Sequence, residues 1–148
     1  VHLLKASKIN SPQTQKMHKL KNLILLLAIL LLNLPLLSAQ NNFQESAKIA
    51  LKSGDSQTLG RFCSDKMEFG LEGAAQSMNS RKAAEQLGNF FRENPPADAA
   101  IQFQGKGKDG RKYMICNYTS RNGGGYRISF YWKEQASPLF ESIDISKD

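Results

Sequence analysis

The chain has 148 residues, a formal charge of +7 at pH 7, two histidines and two cysteines. His2, His18 and the basic residues Lys5, Lys8, Lys16, Lys19 and Lys21 all precede residue 40, whereas every acidic residue follows it, so residues 40–148 carry only +2. Such a stretch has no basic run to track a phosphate backbone, which excludes nucleic acid as a partner. It has no imidazole either, which excludes Ser-His-Asp and Cys-His catalysis and the usual zinc ligand sets.

Residues 1–16 show no hydrophobic period and read as an extension ahead of a native start at Met17. From Met17 to Ala39 a basic start (His18, Lys19, Lys21) leads into the apolar run Leu23 to Leu37, which ends in the small residues Ser38 and Ala39. That is the pattern of a secretory signal peptide. A membrane span needs about 20 apolar residues, and Asn33 and Pro35 interrupt this run, so no membrane anchor is expected to be retained. No Cys follows Ala39 to take a lipid. Residues 40–148 are then one exported domain, periplasmic or extracellular, with the length of a single hydrophobic core.

Asn42 with Glu45 three residues on forms a capping-box pattern, and Phe43, Ala47, Ala50 and Leu51 share one helical face up to Gly54. Asp55 is placed to cap a short second helix with Leu59, Phe62 and Cys63 on its apolar side. Met67, Phe69 and Leu71 then alternate with polar residues as in a half-buried strand. The stretch from Gly73 to Asn79 reads as a connection, with Ser80 capping a third helix on the stripe Ala83, Ala84, Leu87, Phe90 and Phe91. Pro95 and Pro96 end that helix.

Only strands follow. Ile101 and Phe103 alternate with glutamines, the segment Gly105 to Gly110 supplies a hairpin loop, and a strand runs from about Arg111 to Thr119. A turn at Asn122 to Gly125 leads to the alternating segment Tyr126 to Lys133, and a last strand places Leu139, Glu141, Ile143 and Ile145 on one face. Strands gathered after helices predict an α+β domain with an antiparallel sheet.

Cys63 and Cys116 admit one disulfide in an exported protein. Both also fit as small buried core residues, Cys63 at helical spacing from Leu59 and Cys116 within a strand pattern.

The order of these elements carries the stretches Ala50-Leu51-Lys52-Ser53-Gly54-Asp55, Arg81-Lys82-Ala83-Ala84-Glu85-Gln86-Leu87, Phe90-Phe91 to Asn94-Pro95-Pro96, and Lys108-Asp109-Gly110-Arg111-Lys112-Tyr113. In this the chain resembles the secreted domain-of-unknown-function family 4783, which is assigned to the nuclear-transport-factor-2-like superfamily. The resemblance implies a cone, with three helices in the N-terminal half packed on a curved antiparallel sheet around a pocket. The superfamily holds isomerases, dehydratases and cyclases beside inert binding and assembly modules, so the fold leaves the activity open.

Met114, Cys116 and Tyr118 on one strand, beside Arg127, Ser129 and Tyr131 on the next, are expected to form a mixed aromatic and polar surface. Within it Tyr118, Arg127 and Tyr131 are the candidate ligand-binding residues, Arg127 being suited to a carboxylate or phosphate. An exposed sheet face or a homodimer contact is the competing reading, with Tyr118 and Tyr131 opposite the packed side. The other faces, Tyr113, Ile115 and Asn117 with Tyr126, Ile128, Phe130 and Trp132, are expected to be the core. Asp144 beside Phe140 is the one acid placed to act as a base; as a solvated strand-end charge it would be inert, and no catalytic residue is assigned. No metal and no cofactor is expected. The predicted function is a non-catalytic binding or interaction module for a small molecule or protein. The alternatives are an isomerase- or dehydratase-like enzyme with a pocket carboxylate and tyrosine, and a structural homodimer.

Overall fold

The structure, a computed structural model, describes Met17, residues 20–25 and residues 35–148, with side chains from residue 43 onward in the last stretch. The extension expected over residues 1–16 lies outside the described residues, as does much of the leader expected over residues 17–39. Among the described residues no helix is long and apolar enough to cross a membrane. Residues Ala39–Asp148 form a compact unit, and it is this unit that carries the fold.

Helix α1 (Pro35–Ser53) buries Phe43, Ala47, Ala50 and Leu51, the face expected from the sequence. It begins at Pro35, upstream of Asn42, so the expected cap lies inside the helix. At its end Gly54 takes a φ of +67°, while Gly54 N–H and Asp55 N–H donate to the carbonyls of Leu51 and Ala50 at 3.2 and 2.8 Å. This pair of bonds is the Schellman stop, which satisfies carbonyls that the helix leaves without partners. Asp55 then caps α2 (Ser56–Arg61) by accepting from Thr58 N–H at 3.0 Å and from its hydroxyl at 2.6 Å.

Strand β1 (Cys63–Leu71) starts at Cys63, which therefore leaves the helix where it was expected. The stretch read as a connection is a strand, β2 (Ala74–Met78), joined to β1 by a two-residue turn. Both turn residues, Glu72 and Gly73, have positive φ (51° and 83°), as the tight hairpin turn demands. Its Glu-Gly sequence and the weak strand formers Ala74, Ala75 and Gln76 hide it from a reading by propensity.

Helix α3 (Ser80–Glu93) buries Ala83, Ala84, Leu87, Phe90 and Phe91, as the stripe predicts. Its cap is Asn79 rather than Ser80: Asn79 Oδ1 accepts from Lys82 N–H at 2.9 Å, and Ser80 Oγ donates to Asp65 at 2.9 Å instead. Where α2 crosses α3, Gly60 lies so close to Ala84 that an added Cβ would sit 2.5 Å from the alanine methyl.

Strands β3 (Pro96–Lys106), β4 (Lys112–Ser120), β5 (Gly125–Trp132) and β6 (Phe140–Lys147) form an antiparallel meander. The sheet order is β2-β1-β6-β5-β4-β3, and β1 lies parallel to β6, the one departure from the antiparallel expectation. The pairing slips at Cys63/Glu68, Pro96/Asp98, Ile101/Phe103 and Tyr131/Trp132. Such irregularities bend strands, and the result is a curved, unclosed sheet wrapped on helices, the α+β fold expected. The last slip also turns Phe140 to the inner side together with Ile143 and Ile145, where strict alternation would oppose them.

The core lies between the helices and the inner sheet face. It contains Met114, Cys116 and Tyr118 of β4 with Ile128, Phe130 and Trp132 of β5, all buried. The register pairs Met114 with Phe130, Cys116 with Ile128 and Tyr118 with Tyr126. The expected face of β4 is therefore inverted. Tyr113, Ile115 and Asn117 point outward beside Tyr131, Ser129 and Arg127, because a one-residue change of register moves every side chain of a strand to the other face.

Candidate functional site

The three candidate ligand residues do not meet. Tyr118 is buried on the inner face, whereas Arg127 and Tyr131 stand on the outer face of β5, Arg127 exposed and Tyr131 half-buried under the guanidinium of Arg111 at 5.4 Å. Asp144 lies between buried Ile143 and Ile145 on the outer side of β6, level with Ser129 and over Gly70. Glu141 pairs with Lys133 at 3.0 Å.

The thiols of Cys63 and Cys116 are both buried and unbonded. Strands β6 and β5 separate β1 from β4, and the row Cys63, Phe140, Trp132, Lys112 puts Cys116 four residues farther along β4. A disulfide needs Cα atoms within about 7 Å, so the bridge that the cysteine count allowed does not fit this register. Cys63 Sγ donates instead to the Leu59 carbonyl at 3.3 Å. Burial pushes both thiols up to about 12, which leaves them protonated and unreactive at neutral pH.

The interior where a pocket was expected holds side chains. Tyr118 is 1 % exposed and stacks among Phe90, Phe91 and Tyr126 with ring centroids 5.4, 6.0 and 6.2 Å away. Its hydroxyl donates to the Asn94 carbonyl at the end of α3. Burial, and secondarily Tyr126, pushes the phenol up to about 12. A Tyr118→Phe variant leaves that carbonyl without its partner, so a loss of about 1–2 kcal/mol is expected in a denaturant melt. An unchanged midpoint would show that the hydroxyl contributes nothing.

That bond is one of a set. The carbonyls of Glu93, Asn94, Pro95 and Pro96 accept, in turn, from Asn122 Nδ2 (2.8 Å), Tyr118, Arg121 N–H (2.8 Å) and Arg121 Nε (3.0 Å). The β4–β5 hairpin thus supplies the donors that a helix C-terminus lacks, and pins the end of α3 against the sheet. Beside this junction Tyr126 donates to Asn94 Oδ1 at 2.7 Å and meets the ring of Phe90 edge-on at 5.0 Å.

A cleft of about 330 Å³ opens there, at the mouth of the cone. Helix α3 contributes Gln86, Asn89, Phe90 and Glu93 to one wall, and Leu71 at the end of β1 and Glu72 of the β1–β2 turn face them across Tyr126. A wider groove of about 450 Å³ runs between α2 and α3 over Ala84 and Gly88. Within it Glu85 pairs with Lys82 at 3.1 Å, and Arg92 donates to Asn89 Oδ1 at 2.8 Å. Among the described residues no group of three or more His, Cys, Asp or Glu side chains is placed to hold a metal ion. The cleft residues escaped the sequence reading because Gln86, Asn89 and Glu93 look like a solvated helix face. The signal was Asn94 before two prolines, a helix end in need of partners.

The comparisons with known proteins agree with this fold. The model of the family described as "Domain of unknown function (DUF4783)" matches residues 44–146. No curated protein matches. Among solved structures, a DUF4783 family protein from Bacteroides ovatus is 27% identical, with a TM-score of 0.64 over 70% of this chain and 93% of that one. One from Bacteroides fragilis is 26% identical, with a TM-score of 0.64 over 70% and 96%. A protein of unknown function from Shewanella baltica, described as NTF2-like, is 13% identical with a TM-score of 0.56 over 72% and 89%, a likeness of fold alone. With most of the compact unit matched and the same curved sheet and helices in its relatives, the chain belongs to the DUF4783 family and has the nuclear-transport-factor-2-like fold.

Proposed function

We propose that the protein is an exported, non-catalytic binding module whose ligand seats in the cleft at the cone mouth. The observation that carries this reading is the division of labour in the fold. The interior is occupied by Tyr118, Met114, Cys116 and Phe130, while polar side chains converge outside it, around Tyr126. Pockets of about 300 Å³ and more are the usual size for small ligands, and the hairpin bonds to α3 hold this one preformed. Native mass spectrometry of the protein from its host is expected to show a bound small molecule that is lost in Tyr126→Ala. A mass equal to the bare chain in both would contradict the reading. The same spectrum tests export: processing after Ala39 would leave Gln40 as the first residue, and recovery with residues 17–39 attached would count against a cleaved leader.

The outer sheet face favours a second reading, a homodimer. Phe103 is 57 % exposed there beside Ile115, Tyr113 and Tyr131, an aromatic and aliphatic patch that a twofold partner would cover. Sedimentation at high concentration should then show a dimer that Phe103→Asp dissociates; a monomer at all concentrations would remove this reading.

A further inference from the structure

We propose that the ligand of the mouth cleft is a neutral sugar ring, an inference that rests on the binding reading above and narrows it to a chemical class. Some polar groups of the cleft are already engaged. Asn94 is spent on the fold, its Oδ1 accepting from Tyr126 and its Nδ2 donating to the Phe90 carbonyl at 3.3 Å. Asn89 Oδ1 accepts from Arg92, which leaves its amide N–H groups. The side chains of Gln86, Glu72 and Glu93 make no hydrogen bond or ion pair with any described residue. The open set therefore mixes donors (the amides of Gln86 and Asn89) with acceptors (Gln86 Oε1 and two carboxylates), above the apolar surface of Leu71 and Tyr126.

Each simple ligand class leaves part of this set unpaired. An anion would meet two carboxylates and no cation in the wall. An ammonium would satisfy the carboxylates and leave the amide donors without acceptors. A hydrocarbon would strip water from all of them, which costs free energy without return. Adjacent hydroxyls on a ring donate to carboxylates while accepting from amide N–H groups, and the ring's C–H face can rest on Leu71 and Tyr126. The cleft's volume, at the small end of ligand pockets, suits one ring, and its open side lets a longer chain continue outward.

The test is a titration followed by two-dimensional amide NMR, using the methyl glycosides of glucose, galactose, mannose and N-acetylglucosamine at millimolar concentration, with methylammonium in parallel. At least one glycoside is expected to shift the side-chain amide signals of Gln86 and Asn89 saturably, and Gln86→Ala should weaken that binding about tenfold, the worth of one well-made hydrogen bond. Gln86 is half-buried on the solvent side of α3, so this variant keeps the core. Shifts with methylammonium and none with any glycoside would overturn the sugar class and leave the cleft as a binding site. No shift with any probe, together with bare-chain mass in the native spectrum, would overturn both.

Discussion

Replacing Phe140 by alanine is expected to cost about 3–5 kcal/mol, the range for removing a fully buried aromatic side chain, out of the 5–15 kcal/mol typical of a whole domain. Phe140 is 0 % exposed, and its ring lies 4.6 Å from Phe43 of α1, 4.6 Å from Phe130 and 5.8 Å from Trp132 of β5. Its backbone also ties the end of α2 to the sheet, because Phe140 N–H donates to the Phe62 carbonyl at 2.7 Å. The side chain thus joins the first helix to β5, while the backbone of the same residue anchors the end of α2. In urea the midpoint should fall with little change in slope. Ile49→Ala, at an exposed position of α1, should stay within about 0.5 kcal/mol of the parent. A Phe140→Ala loss as small as that would mean the core is not organised around this ring.

The fold is also expected to weaken above pH 9. The thiols of Cys63 and Cys116 have an ordinary value of 9.0, and burial raises both to about 12 in the folded chain. The folded state therefore holds protons that the unfolded chain gives up. The contribution is fully present below pH 9 and is lost as pH rises toward 12, at about 1.4 kcal/mol per pH unit for each thiol. The buried phenol of Tyr118, raised from 10.0 to about 12 chiefly by desolvation, acts in the same direction. Urea midpoints measured between pH 7 and pH 11 should fall steeply past pH 9, and the Cys63→Ala/Cys116→Ala variant should flatten that fall. Constant stability across the range, or rapid reaction of the native thiols with an alkylating reagent at pH 8, would contradict the burial of both groups.

What the sequence makes legible is local. The stripe of α3 from Ala83 to Phe91, the stop at Gly54 with the cap at Asp55, and the loops after β3 and β4 follow from spacing and turn chemistry, and the structure has them. What depends on pairing across the sheet was hidden. Both faces of β4 are rich in apolar bulk, Tyr113 and Ile115 on one and Met114, Cys116 and Tyr118 on the other, so alternation alone cannot choose between them. The choice is made by the register with Ile128 and Phe130, and by the Asn94 carbonyl, which accepts from the Tyr118 hydroxyl and so removes the penalty of burying it. A carbonyl 24 positions away is not visible from Tyr118's neighbours in sequence. The cleft was hidden for the same reason: it is assembled from α3, the β1–β2 turn and β5, and the strand that forms that turn with β1 has weak strand propensity.

On the reading proposed above, the cone is packed and a ligand binds at its mouth. A crystal structure of the protein purified from its native host tests this most directly. The expected result is an interior filled by Tyr118, Met114 and Phe130, with ligand density between Gln86, Glu93 and Tyr126. Ligand density inside the cone, against Met114 and Cys116 with Tyr118 displaced, would contradict it.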